Sequence, residues 1–511
     1  MKEQYLDIIS LINSSYYKEN KRLNWHISQF EYDKLSRDVY EVLNNLTLPN
    51  DDLEVFNVCK PSIYSTLSSY LTHVYDYVVL QSKDIESVYS NESHIYIKNI
   101  WENNSIDSIF SIELEKKRFK KNTLKAIYSF LVKYFPKSIF DYTVASKNGL
   151  VNEFISIHEK EKFLQISLPY HFTINTTNNS YIESLTINIS SEIFKTIEDK
   201  YFELDKEQKE SIEFIISTFL ARAYSDINQY NGFLKGCKSI LTGTGNNYHN
   251  RLISTLAKKE NIEVCRFYHG GDRCFYDDDW YWENEFFQTD TFVTYGRKWK
   301  QFAVEMIKNK NLNIKVKAIG SKYHQKIFDK YFNRKSNDKK KILYIPNSFV
   351  GEARQFPYAK IIDPLLFDWQ KYLIETLQNN GFEVIYKKHP KGFFQEENIL
   401  GKIAAYELTE PMMKALEGID MVLCDMAGSA FVESLCAGKD IVIIDTQQRP
   451  FNENNKEELQ KAVKIVEAYW EDNILKINEK KLIDTFRTIN INEEDKKRLI
   501  FDYFLNGDEN D

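Results

Sequence analysis

The stretch GFEVIYKKHPKGFF (381–394), followed after a spacer by GIDMVLCDMAGSAFVESLCAGKDIVIID (418–445), decides the fold. It holds three short apolar runs: Val384-Ile385-Tyr386, Met421-Val422-Leu423-Cys424 and Ile441-Val442-Ile443-Ile444. Strands of a parallel sheet are covered on both faces, so they read as continuous apolar runs rather than alternating ones. Helical patterns fill the gaps, which is the spacing of repeated βαβ units. Ligands of such sheets sit at the carboxyl ends of the strands. There the sequence places Lys387, Lys388, His389 and Pro390 after one strand, and Asp425, Met426, Ala427, Gly428 and Ser429 after another.

Gly428 and Ser429 stand where a helix over 430–436 should begin. A helix N-terminus offers free N–H groups and a positive dipole end, and glycine lets the backbone approach an anion. Ser429 can donate to a phosphate, or it can serve only as the helix cap. Glu433 lies one turn further in. His389 and Ser429 are expected to end neighbouring strands and to point into one crevice. Substitutions at the two should be non-additive if both groups touch one phosphate.

The chain of 511 residues is long enough for two cores. It is 43% hydrophobic and 28% charged, which excludes wholesale disorder. Its net charge of −7 carries no general nucleic-acid signal. No run approaches the ~20 apolar residues of a membrane span. The N-terminus has no signal-peptide core, so a soluble cytoplasmic protein is expected. Cys59, Cys237, Cys265, Cys274, Cys424 and Cys436 show no metal-ligand spacing and read as buried free thiols.

Residues 1–237 read as a helical and mixed region belonging to the acceptor side. Helix is expected near the start and over 124–134 and 211–224, with Val78-Val79-Leu80 as a strand. A first Rossmann-like unit spans 238–330, with strands in SILTGTG (239–245), VCRFYHGG (264–271), TFVTYG (291–296) and KVKAIGS (315–321). Gly243-Thr244-Gly245 lacks the third glycine and the following acid of a dinucleotide fingerprint. The polar stretch 331–340 reads as a linker. A second Rossmann-like unit spans 340–480, opening with KKILYIP (340–346), whose exit carries Asn347 and Ser348. Asp363 should cap the next helix, with Pro364 in its first turn. From Lys456 onward mostly helix is expected, with 481–511 as a helical tail.

Two Rossmann-like lobes facing a cleft, with an N-terminal extension and a C-terminal helical tail, resemble the GT-B plan. Lys388-His389-Pro390, then Glu410, then Gly428-Ser429 resemble the donor-lobe series of bacterial transferases that use CMP-activated sugars. These include sialyltransferases and Kdo transferases. His269-Gly270-Gly271 with Lys388-His389-Pro390 also resembles the CDP-glycerol polymerases of teichoic acid synthesis. The resemblance covers about 238–445. Ser429 is flanked by Gly428 and Ala430, whereas many relatives carry two adjacent hydroxyl residues.

The resemblance implies a transferase moving an acidic sugar, of nonulosonic acid or Kdo type, from a CMP-activated donor to a surface glycan or glycoprotein. The CMP-sugar is then a co-substrate, with no other cofactor and no metal. The protein would lie in the cytoplasm, free or attached peripherally to the inner face of the membrane. Breaking the anomeric bond leaves CMP with extra negative charge, so cations and N–H donors are needed at its phosphate. His389 is expected to donate there, Lys387 or Lys388 to supply charge, and Glu410 to bind ribose or merely to precede a helix. Asp272 is the leading acceptor base and His269 the second candidate. Arg273 or Arg297 could hold a sugar carboxylate in a bidentate contact, or form ordinary ion pairs. Asp277-Asp278-Asp279 reads as a solvated acidic loop rather than a metal site. Competing readings are a CDP-polyol phosphotransferase, a UDP-sugar transferase and a non-catalytic glycan-binding scaffold.

Overall fold

A computed structural model describes residues 3–14, 16–18, 21–89, 136–166, 168, 180–277, 279–334, 340–349, 361–389 and 399–508. The helix expected over 124–134, Pro390, Asp278 and residues 335–339 of the linker lie outside these residues. The first lobe is a parallel sheet of β3 (Tyr142–Val144), β4 (Phe163–Gln165), β5 (Ser239–Thr242), β6 (Glu263–Phe267), β7 (Thr291–Thr294) and β8 (Lys315–Ala318). Its order is β4-β3-β5-β6-β7-β8. The second lobe contains β9 (Lys341–Ile345), β10 (Glu383–Lys387), β11 (Tyr406–Leu408), β12 (Met421–Cys424), β13 (Asp440–Asp445), β14 (Lys464–Glu471) and β15 (Ile474–Ile477). Its order is β11-β10-β9-β12-β13-β14-β15, parallel except for β15. A small parallel pair, β1 (Glu3–Tyr5) with β2 (Glu86–Val88), stands apart.

The apolar runs behave as expected: every residue of β5, β7 and β12 is buried. The second sheet reverses direction at β9. From there the chain moves outward through β10 to β11, then returns to place β12 on the other side of β9. The crevice outside β9 and β12 is therefore the topological switch point, where open α/β sheets bind ligands. This corrects the expected adjacency. β10, which leads to His389, and β12, which leads to Ser429, are not neighbours, because β9 pairs with both.

Four further expectations change. Val78, Val79 and Leu80 lie inside one helix, Asn50–Ser82, because apolar residues recur at helical spacing along it. A three-residue run cannot reveal that larger period. After 456 the chain is not mainly helical, since β14 and β15 form a hairpin that extends the second sheet. The buried and exposed residues of β14 alternate, as on a strand with one wet face. The helix opening with Asp363 has Ile362 at its N-cap and no side-chain cap, while Pro364 does occupy the first turn. The first residues belong to the second lobe: Tyr5, Leu6, Ile8, Leu11, Leu23 and Trp25 share a core with Tyr344, Trp369 and Leu373. Arg22 fixes that contact through Asp368 at 2.7 Å.

The C-terminal segment crosses back to the first lobe. After the helix Glu493–Ile500, Gly296 N–H donates to Tyr503 O at 2.9 Å and Arg297 N–H to Asn506 O at 3.1 Å. The crossing needs a residue without a side chain at 296, because a Cβ there would lie 2.4 Å from the Tyr503 carbonyl carbon. Gly296→Ala is expected to cost about 1–3 kcal/mol, the scale of overpacking. Urea melts of the variant and wild type check it, and an unchanged midpoint would mean that the tail does not dock in solution.

Candidate active site

The second lobe supplies a fixed floor to the crevice. Asp425, fully buried at the end of β12, accepts from Tyr344 Oη at 2.9 Å, from Asn347 N–H at 3.0 Å and from Trp369 Nε1 at 3.4 Å. Asn347 O in turn accepts from Gln370 Nε2 at 2.8 Å, and Gln370 Oε1 accepts from Tyr386 at 2.9 Å. The loops leaving β9 and β12 are thereby locked together. Burial pushes the Asp425 carboxyl up to about 6, against the pull of these three donors. Asn347 is held here through its backbone, and the half-exposed Ser348 follows it.

Beyond Asp425 the helix Ser429–Cys436 begins, with Gly428 as N-cap and no side-chain cap bond. Ser429 is therefore the first helical residue rather than the cap, and it is exposed. One turn inside, Glu433 is half-buried and accepts from the Tyr323 hydroxyl of the first lobe. Burial raises its carboxyl to about 7, while Tyr323 and Lys387 pull it down. Lys387 is buried at the end of β10, with Nζ 3.1 Å from Lys388 O and 3.5 Å from Leu408 O. Its pKa is lowered by burial, and Glu407, Glu433 and Glu410 oppose that shift. Lys388 Nζ lies 3.8 Å from Glu407. His389 and Glu410 are both exposed.

Facing this, the exit from β6 turns sharply. Gly270 and Gly271 have φ of +100° and +85°, which favours glycine. Trp299 Nε1 donates to Gly271 O at 3.2 Å, and Arg273 N–H donates to Tyr268 Oη at 2.7 Å. His269 is exposed, whereas Asp272 is only 4% exposed. Its carboxylate lies 3.7 Å from Arg273 Nε and 4.0 Å from Arg449 Nη1. Arg297 is committed elsewhere, since its Nε donates to Gly507 O in the returning tail at 3.0 Å.

The two lobes touch directly beside these residues. Ala427 N–H donates to Tyr276 Oη at 2.8 Å. Asp277 N–H donates to Pro450 O and Asn452 N–H to Phe275 O, each at 2.9 Å. Asp277 Oδ1 accepts from Asn452 Nδ2 at 2.8 Å, so this aspartate of the acidic triplet takes part in the lobe contact. The guanidinium carbon of Arg449 lies 4.2 Å from the centre of the Tyr276 ring. The charges of Asp272, from the first lobe, and Glu433, from the second, both act on Tyr295.

The structure thus draws Lys387, Glu433 and Arg449 of the second lobe toward Asp272, Tyr276, Tyr295 and Tyr323 of the first. It leaves Arg297 out of that group. Arg449 escaped the sequence reading although it follows β13, a strand exit of the same kind as those that were singled out. Tyr295 and Tyr323 offered no motif at all.

Glu433→Gln tests the buried carboxyl. A carboxyl whose pKa rises from 4.5 to about 7 on folding stabilises the fold fully below 4.5, and that contribution is lost as pH rises through 7. The variant should therefore match wild type near the bottom of this window and exceed it in stability by about 2 kcal/mol above the top, after allowance for partial exposure. Denaturant melts on both sides of the window check this, and parallel pH profiles would refute the assigned burial.

These two sheets, parallel except for β15 and meeting at the ends of their strands, make an α/β protein of two Rossmann-like lobes strapped by a returning tail. Neither a known protein family nor a curated protein sequence matches the chain. A similar solved structure is that of Os79 from O. sativa, in complex with UDP and deoxynivalenol-3-glucoside. The likeness covers 74% of this chain and 91% of that one, at 9% identity and a TM-score of 0.36. Among the described residues no helix is long and apolar enough to cross a membrane.

Proposed function

We propose that the chain is a glycosyltransferase that holds a nucleotide-activated sugar against the second lobe and an acceptor against the first. The observation that carries this reading is the meeting of the two lobes at their strand ends. Glu433 and Arg449 of the second lobe meet Tyr323 and Asp272 of the first, while Lys387, Lys388 and His389 and the start of the helix Ser429–Cys436 follow strands of the second sheet. Such a set suits a phosphate whose charge grows as the anomeric bond breaks.

The donor we propose is a CMP-activated acidic sugar, supported by the order His389, Glu410, Gly428-Ser429 in the sequence. His389 donates to the leaving phosphate. The N–H groups at Ser429 hold that phosphate in the ground state. A helix rises about 1.5 Å per residue, so Glu433 lies roughly 6 Å along from Ser429. That offset suits a ribose attached to the phosphate, and the Glu433 carboxylate can accept from ribose hydroxyls. Glu410 sits in the open ahead of Pro411 and is the alternative for that role. On the acceptor side, Asp272 is enclosed with Arg273 and Arg449, so exposed His269 is the group an acceptor hydroxyl can reach. In the transfer the hydroxyl oxygen attacks the anomeric carbon, its proton passes to His269, and CMP departs. Asp272 then positions Arg273, the candidate for the sugar carboxylate.

A thermal-shift panel of CMP, CDP, UDP and GDP tests the donor, because a nucleotide that binds only the folded chain must raise its melting temperature. The largest shift is expected with CMP. A larger shift with UDP or CDP would replace the CMP assignment. Nucleotide binding with no turnover on any acceptor would support a scaffold instead.

A further inference from the structure

We propose that the outer edge of the first lobe docks on an anionic lipid surface, an inference independent of the donor assignment. Residues 297–334 contain eleven Lys and Arg against two acidic residues, Glu305 and Asp329, in a chain whose net charge is −7. The fold turns this sequence bias into a surface. Strand β8 is the outermost strand of its sheet, pairing with β7 alone among the described strands, and Lys315 and Lys317 are exposed on it. Lys308 is exposed near the end of the helix Arg297–Asn309, which leads into β8. On the helix Lys322–Tyr331, which follows β8, Lys322 and Lys326 lie four residues apart and are exposed, while His324, Ile327 and Tyr331 face inward, and Lys330 pairs with Glu417 at 3.8 Å. Lys298 and Lys300 are excluded from this surface, because Glu458 and Asp508 pair with them at 2.9 and 2.8 Å.

Two features favour a bilayer over a discrete ligand. The cations are lysines spread along a strand edge and a helix, not arginines converging on one point, so they suit a diffuse field of headgroups. Val304 and Leu312 stand among them at 46% and 40% exposure. Apolar side chains beside lysines are what a surface penetrating the headgroup boundary requires. A soluble polyanionic chain would gain nothing from them.

Co-sedimentation of the full chain with lipid vesicles tests the proposal. Binding is expected to phosphatidylcholine vesicles containing about one third phosphatidylglycerol at ~0.1 M salt, with little binding to phosphatidylcholine alone. It should fade near ~0.5 M salt as the charges are screened. A lysine close to an anionic leaflet is worth about fivefold in partition. Charge reversal at Lys308, Lys315, Lys317 and Lys326 together should therefore lower binding by at least about a hundredfold. Val304→Asp with Leu312→Asp should lower it by at least about fivefold with the lysines intact. Lys→Gln at the same four positions repeats the test should the reversed variant fold poorly, with thermal melting as the check on folding. Equal binding to neutral vesicles, or wild-type binding by the lysine variants, would overturn the proposal. So would retention on dextran sulfate that surpasses vesicle binding and ignores the Val304 and Leu312 changes, since that pattern assigns the face to a polyanionic chain.

Discussion

Replacing His389 by alanine is expected to lower turnover by about 2–4 kcal/mol of transition-state stabilisation, the scale of one lost donor to a developing oxyanion. Ground-state CMP affinity should fall by less, because the charge the imidazole meets grows during bond breaking. Ser429→Ala should weaken CMP binding by about 1 kcal/mol, a typical net hydrogen bond, as the backbone donors remain. The strand order changes where any coupling in the double variant comes from. With β9 between β10 and β12, the two strand ends lie about two strand spacings apart, roughly 10 Å. Groups that far apart add unless they share a partner, and here both are proposed to hold one phosphate. The double variant is therefore expected to depart from the sum of the single losses through that phosphate, and strict additivity would mean that the two groups do not bind the same anion. Turnover and CMP affinity for the three variants decide this. Full turnover in His389→Ala would make the His-Pro motif structural and remove it from the site.

Asp425→Ala is expected to destabilise the protein by about 3–5 kcal/mol. It strands three buried donors, the Tyr344 hydroxyl, the Asn347 N–H and the Trp369 N–H, and buried donors without partners each cost about 1–3 kcal/mol. The carboxyl also shapes the pH profile. Its pKa rises from 3.8 to about 6 on folding, so its stabilising contribution is complete below 3.8 and is lost as pH rises through 6. At about 1.36 kcal/mol per pH unit, that loss is on the order of 3 kcal/mol. Asp425→Asn keeps the shape and one acceptor oxygen, and should flatten this limb of the profile while costing less than alanine. Urea melts across the window measure both effects. Wild-type stability in Asp425→Ala would mean that the loops after β9 and β12 are not held by this carboxyl, and the floor of the crevice would need another explanation.

Much of the fold was legible in the residues themselves. Uninterrupted apolar runs such as MVLC and IVII mark strands buried on both faces, and their spacing by helical patterns points to parallel strand direction within each lobe. The loops at the strand exits, and so the candidates Lys387, His389, Gly428 and Ser429, follow directly from that local reading. What lay beyond it depends on contacts between residues far apart in the chain. The order β10-β9-β12 is set by which strands pair, and apolar runs of similar composition do not encode that choice. The return of the first residues to the second lobe rests on Arg22 meeting Asp368, 346 positions away. Period-two alternation in β14 was hidden among charged residues that suit an exposed helix equally well.

The site divides in the same way. Sequence alone placed a cation-rich strand exit and a glycine-led helix start in the second lobe, because both are local features of the chain, whereas the absence of a side-chain cap at that start came from the structure. It could not show that Asp272 would be enclosed beside Arg449, or that Glu433 would meet Tyr323, since each pair joins different lobes. Burial is a property of the assembled molecule. It separates exposed His269 from enclosed Asp272 three residues later, and it lifts Glu433 and Asp425 out of the ordinary carboxylate range. Strand identity and chemical inventory were therefore fixed by the order of residues. Which groups share a crevice, and in what protonation state, was decided by tertiary packing, because desolvation and cross-lobe contact exist only once the lobes have come together.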